Sequence, residues 1–106
     1  MQPVPFDDAA FVAAQGAAKP ILLTVSAEWC IVCAAQRPIL ARLSNSERFR
    51  HVVIFNIDWD TQKTLVRRFN ARAQGTLIVF KGATETGRAQ SATQEFLIVE
   101  LLEGAL

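Results

Sequence analysis

A chain of 106 residues, 51% of them hydrophobic, can bury one core without disulfide staples, so residues 1–106 are read as one domain. A net charge of +1 excludes the basic face of a nucleic-acid binder. No stretch nears the roughly 20 apolar residues that span a bilayer, since even the run over 21–25 is broken by Thr24. Neither nucleic acid nor membrane is therefore expected as a partner. Met1, Gln2 and Pro3 bring no basic segment and no apolar signal core. A cytoplasmic location is expected, or a periplasmic one if a leader has been removed.

Residues 2–6 read as a short strand that Pro3 and Pro5, lacking N–H groups, confine to a sheet edge. Asp7 is placed to cap a first helix, with Phe6 and Phe11 as a hydrophobic staple and Gly16 as the stop. Pro20 opens a strand over 21–27 whose nearly unbroken apolar character suits a central position. Beyond Trp29 the period lengthens. Val32, Ala35, Ile39 and Leu43 recur at helical spacing, leaving Gln36, Arg37 and Arg42 on other faces. Pro38 inside this helix removes a donor and crowds the carbonyl of Ala34, which predicts a kink.

Residues 52–57 form a second apolar, β-branched strand. Asp60 or Thr61 then caps a helix with Leu65, Val66 and Phe69 inward and Lys63, Arg67 and Arg68 outward. A third strand covers 76–81. Gly82 and Gly87 bracket a turn that opens a short strand near 88–90. The last helix runs from Thr93 or Gln94 to Leu102, packing Phe96, Val99 and Leu102 downward. This order, β-α-β-α-β-α-β-β-α, predicts an α/β sandwich with helices on both sheet faces. Crevices in such folds open at the carboxyl ends of the strands, where Cys30 falls.

Cys30 and Cys33 are too few for a disulfide scaffold and supply half of a four-ligand metal site, with His51 the sole histidine. A C-x-x-C pair amid alternating strands and helices is the redox pattern. Cys30 follows a buried strand and opens a helix, where unpaired N–H groups favour a thiolate over a thiol. Cys33, one turn on, is near enough to form a disulfide and to resolve a mixed one. Two small residues packing a helix start, or a metal clip, are the alternative readings.

The strings "ILLTVSAEWCIVC", "RPIL", "VIFNID" and "TLIVFKG" resemble the thioredoxin family in order and spacing, from about Pro20 to the C-terminus. The resemblance implies an α/β, thioredoxin-like fold: a mixed central sheet of four to five strands with helices on both faces. It implies a monomeric thiol–disulfide oxidoreductase that reduces protein or small-molecule disulfides. Cys30 would be the nucleophile, Cys33 the resolving thiol, and Pro38 the proline of the active-site helix. Trp29, Ile31, Gly75 and Thr76 would shape the substrate contact. No bound cofactor is implied beyond the Cys30–Cys33 disulfide, and electrons would come from an external donor, a reductase.

Four departures qualify that resemblance. Ile31 and Val32 replace the family's Gly-Pro, an aliphatic pair like that of reducing electron transducers. Thr24 and Ile54 stand where the family carries a buried aspartate and lysine, so the proton-shuttling carboxylate is absent. Gly75 replaces the cis-proline. A cis bond before a non-proline costs about 2.5–4 kcal/mol, so Gln74-Gly75 should be trans, the loop looser and the pocket more open. Ser91 stands where the family has a groove-lining glycine. These losses raise two further readings: a binding or chaperone-like module with a regulatory disulfide, and a dimeric metal or iron–sulfur variant pooling four cysteines.

Among the remaining candidates, Trp59 reads as a groove aromatic or a packing residue, and His51 as solvated. Glu28 is expected on the surface, and Asp58 in a loop or cap. Arg67, Arg68 and Arg72 steer acidic partners or form an ordinary solvated face.

Overall fold

The computed structural model describes residues 3–106, so Met1 and Gln2, the latter within the expected first strand, lie outside the described residues. Nine elements follow in chain order: β1 (Val4–Pro5), α1 (Asp8–Gly16), β2 (Pro20–Ser26), α2 (Ile31–Ser44), β3 (Val53–Asp58), α3 (Lys63–Arg68), β4 (Thr76–Lys81), β5 (Thr84–Gln90) and α4 (Glu95–Glu103). The five strands make one mixed sheet in the order β1-β3-β2-β4-β5. β1 and β2 run parallel to β3, while β4 is antiparallel to β2 and β5 to β4.

β2 is central because its side chains are apolar on both faces. Ile21, Leu23 and Val25 join Phe11, Phe55, Val66 and Ile78 beneath α1 and α3. Leu22 joins Leu40, Leu43, Ile98 and Leu102 beneath α2 and α4. Ile21, Leu22 and Leu23 have no exposed surface, and burying each contributes about 1.5–3 kcal/mol. The register aligns Thr24 with Asn56 on one side and with Leu77 on the other. All strand ends that matter for the chemistry meet at the carboxyl end of β2.

Local signals set most of the boundaries. Asp7 caps α1 by accepting the Ala10 N–H at 2.9 Å, and the Phe6 and Phe11 rings staple the entry with centroids 5.3 Å apart. Gly16 is the last helical residue, but the left-handed position after the helix is filled by Ala18, at φ 57°. α3 departs from expectation. Its cap is Gln62, and Asp58 instead organises the approach by accepting the N–H of Asp60 at 2.8 Å.

Three further expectations give way. The buried face of α2 is Cys33, Gln36, Leu40 and Leu43, while Ala35 is exposed, because the helix is rotated to bring Cys33 under the sheet end. On α4, Ile98 and Leu102 pack inward and Phe96 is 65% exposed. β5 begins at Thr84, and Gly87 lies within it beside a bulge: Val79 pairs with Gly87 but Phe80 with Glu85, leaving Thr86 as the extra residue. A side chain on Gly87 would press on Leu101 at 3.1 Å. Backbone pairing with β4 holds this polar edge strand, so its length was hidden from periodicity.

Candidate active site

The chain leaves β2 at Ser26 and turns through Ala27, Glu28 and Trp29, with Cys30 N–H donating to the Ala27 carbonyl at 3.2 Å. Cys30 is the N-cap of α2, in extended backbone at φ −83° and ψ 116°. Its Sγ accepts the N–H of Cys33 at 3.2 Å, as a serine or aspartate oxygen does in an ordinary cap. No acidic residue occupies the first turn of α2 to compete for its unpaired N–H groups.

Cys30 is 8% and Cys33 2% exposed, and both carry free thiols. They pack in one small cluster with Ala27, Val32 and Trp59. Behind them, Cys33 Sγ faces the Val25 carbonyl at 3.9 Å. Burial pushes the Cys33 thiol above its ordinary value, and its hydrogen bond to Cys30 adds to that rise. Arg37 pulls the other way through its charge.

The exposed rim is apolar. Ile31 is 87% and Trp29 63% exposed, and Trp29 Nε1 donates to Asp60 at 2.9 Å, which holds the ring beside the motif. Trp59 is half-buried against the cysteines, with Lys63 Nζ 4.2 Å from its ring centroid. Of the two other expected contact residues, Gly75 is buried and Thr76 is 3% exposed, its hydroxyl donating to Ala73 O at 2.7 Å.

The Gln74-Gly75 bond is trans, as the missing proline implied. The loop is not loose. Gly75 sits at φ 81°, donates its N–H to Val25 O at 2.7 Å, and accepts from Ser91 N–H at 3.2 Å and from Gln36 Nε2 at 3.0 Å. A side chain there would strike Val32 Cγ1 at 2.6 Å, so Val32 fills the space above this glycine. Ser91 itself adopts φ 63°, the left-handed region that a glycine enters at no cost.

Thr24 and Ile54 are buried, at 7% and 2% exposure. Thr24 Oγ1 donates to Asn56 Oδ1 at 2.7 Å, and Ser26 Oγ donates to the same oxygen at 2.6 Å. These groups line a cavity of about 560 Å³ with Cys33, Gln36, Arg37 and Asp58. It lies on the Cys33 side of the pair, with Cys30 outside its lining. Arg37 reaches back to the Ala27 carbonyl at 3.3 Å.

Asn56 and Gln36 escaped the sequence reading. Asn56 could have been found from its register opposite Thr24, and Gln36 from its place one turn past Cys33. Glu28 and His51 are exposed, as expected. Arg68 is tied down rather than free, pairing with Asp8 at 2.9 Å. Among the described residues no three of histidine, cysteine, aspartate and glutamate gather where they could hold a metal ion. No helix among them is long and apolar enough to cross a membrane.

A five-stranded mixed sheet covered on both faces, with a C-x-x-C pair opening the helix after its central strand, defines the thioredoxin-like class of thiol–disulfide oxidoreductase. The sequence model described as Thioredoxin matches residues 3–103, and the chain belongs to that family. It is 32% identical over 73 residues to Thioredoxin Asp f 29 of Aspergillus fumigatus, an alignment covering 69% of this chain and 66% of that one, just under two thirds. It is 29% identical over 91 residues to a Thioredoxin H-type of Brassica campestris, covering 86% and 72%. The crystal structure of Trxlp from Edwardsiella tarda superposes with a TM-score of 0.91 at 33% identity, covering 95% of this chain and 98% of that one.

Proposed function

We propose that the protein reduces disulfides of polypeptides or small thiol compounds, with Cys30 as nucleophile and Cys33 as resolving thiol. The observation that carries this is the Cys30 sulfur serving as helix cap, 3.2 Å from the Cys33 N–H. A sulfur that accepts a backbone N–H at the start of a helix, with its partner thiol one turn on, is the arrangement a dithiol uses to open a disulfide and then close on itself.

The thiolate of Cys30 attacks one sulfur of the substrate disulfide. The substrate S–S bond breaks, one substrate thiolate leaves and takes up a proton, and a Cys30–substrate disulfide forms. Cys33 then loses its proton and attacks Cys30 Sγ, releasing the second substrate thiol and closing Cys30–Cys33. Two electrons have passed to the substrate, and an external reductase returns them. The aliphatic Ile31 and Val32, with no histidine between the cysteines, support the reducing direction. Trp29 and Ile31 offer the exposed apolar surface on which a monomer seats its substrate, in a cytoplasmic setting.

Insulin reduction with a chemical or enzymatic electron donor tests this. Turnover in the parent and none in Cys30→Ser is the expected result. No turnover with any donor would instead favour the second reading, a binding module with a regulatory disulfide, which the exposed Trp29 and Ile31 surface also supports.

A further inference from the structure

Gln36 stands on the inner face of α2, one turn beyond Cys33, and is 3% exposed. A buried carboxamide must place its hydrogens on acceptors or lose their solvation. Here Nε2 donates to Gly75 O at 3.0 Å and to Ala92 O at 2.9 Å. Both partners are carbonyls, which only the amide nitrogen can satisfy, so the orientation of the side chain is fixed. One residue of the active-site helix therefore grips two loops that are far apart in sequence. The loops also grip each other, through Ser91 N–H on Gly75 O at 3.2 Å.

Glycine loses more conformational freedom than any other residue when it is ordered, so Gly75 needs ties that a ring-locked residue does not. It lies against the motif, since only the absence of its Cβ makes room for Val32. We propose that Gln36 is a positioning residue: it holds the Gly75 loop and the segment at Ser91 and Ala92 in fixed relation to Cys30, and so sets how a disulfide-bearing polypeptide seats there. This rests on the oxidoreductase reading of the same site. Its carboxamide supplies by hydrogen bonds the rigidity of a loop whose sequence is flexible.

Two substitutions test it. Gln36→Leu keeps the bulk and removes both donors; Gln36→Glu keeps the shape but, ionised, points oxygens at two carbonyls. With insulin as substrate, Gln36→Leu should raise KM about tenfold, the loss of one to two net hydrogen bonds, with kcat changed less than twofold. Exchange of the Gly75 and Ser91 amide hydrogens should quicken about tenfold while β2 and β3 keep their protection. Gln36→Glu should show a KM that falls toward the parent value as pH drops and the carboxyl regains a hydrogen to donate. Parent-like KM and exchange in Gln36→Leu would overturn the proposal, as would exchange quickened across the whole sheet. If Gln36→Leu does not fold, a pH-independent KM ratio between Gln36→Glu and the parent overturns it alone. No turnover in the parent with any electron donor would remove the oxidoreductase reading, while amide exchange still reports on the clamp separately.

Discussion

Gly75 donates its N–H to the carbonyl of Val25 at 2.7 Å, and the same carbonyl faces the Cys33 sulfur at 3.9 Å. One acceptor thus serves the Gly75 loop and the Cys33 thiol together. A proline in this loop has no N–H to give. Replacing it with glycine has added a donor as well as removing a ring, and the loop is fastened to the strand behind the dithiol.

The fit between Gly75 and Val32 should be measurable as a coupling. Gly75→Ala places a methyl 2.6 Å from Val32 Cγ1 and also meets the strain of φ 81°. We expect it to cost about 2–3 kcal/mol in the parent and about 1 kcal/mol less in a Val32→Ala background, since the strain remains and the collision does not. Denaturant titration of the four proteins gives the coupling, and strictly additive costs would contradict it.

Thr24→Asp should speed resolution. A carboxylate at residue 24 would share the cavity with Cys33 and accept its proton, and Asn56 can turn its amide nitrogen toward the new charge. At neutral pH the mixed disulfide should resolve at least about tenfold faster, at a stability cost of about 1–3 kcal/mol for the buried acid. Rapid-quench measurement of the mixed disulfide reads the first, and an unchanged rate would refute it.

The raised Cys33 thiol gives a pH dependence with a definite sign. Its thiolate is the resolving form, so the rate should climb with pH through neutrality and beyond the ordinary thiol value of 9.0. A raised value also means that the folded, reduced protein holds the proton more tightly than the unfolded chain does. That stabilisation is present below 9.0 and is lost as pH rises through the elevated Cys33 value. In Cys30→Ser the elevation should shrink but persist, because burial is its larger cause; alkylation of Cys33 against pH would show it.

Ser91 bears a removable strain. At φ 63° a side chain costs about 1 kcal/mol that glycine avoids. Ser91→Gly should therefore raise unfolding stability by about 1 kcal/mol, read from the shift in denaturant midpoint. A neutral or negative shift would mean that the serine has a compensating partner in solution.

How far the sequence could be read depends on the range of the interactions involved. Cys30 was legible because its role is local: a strand end, a helix start and a partner one turn on. The aromatic staple of Phe6 and Phe11 was legible for the same reason. Gln36 was not, because a glutamine beside Arg37 reads as solvent-facing until its acceptors are known. Those acceptors lie 39 and 56 residues further along the chain. Phe96 and Ile98 were exchanged because Phe96, Leu97, Ile98 and Val99 form an apolar run with no polar residue to set its phase. Asp58, rather than Asp60 or Thr61, organises the entry to α3 because β3 ends in a tight turn whose N–H groups fall on that carboxylate.

Both rims of the sheet are poor templates for an additional strand. At one, β1 pairs over only two residues, with Pro3 and Pro5 withholding N–H groups. At the other, the bulge at Thr86 bends β5 next to the charged pair Glu85 and Arg88. A molecule that exposes Trp29 and Ile31 is thereby protected against edge-to-edge stacking into fibrils.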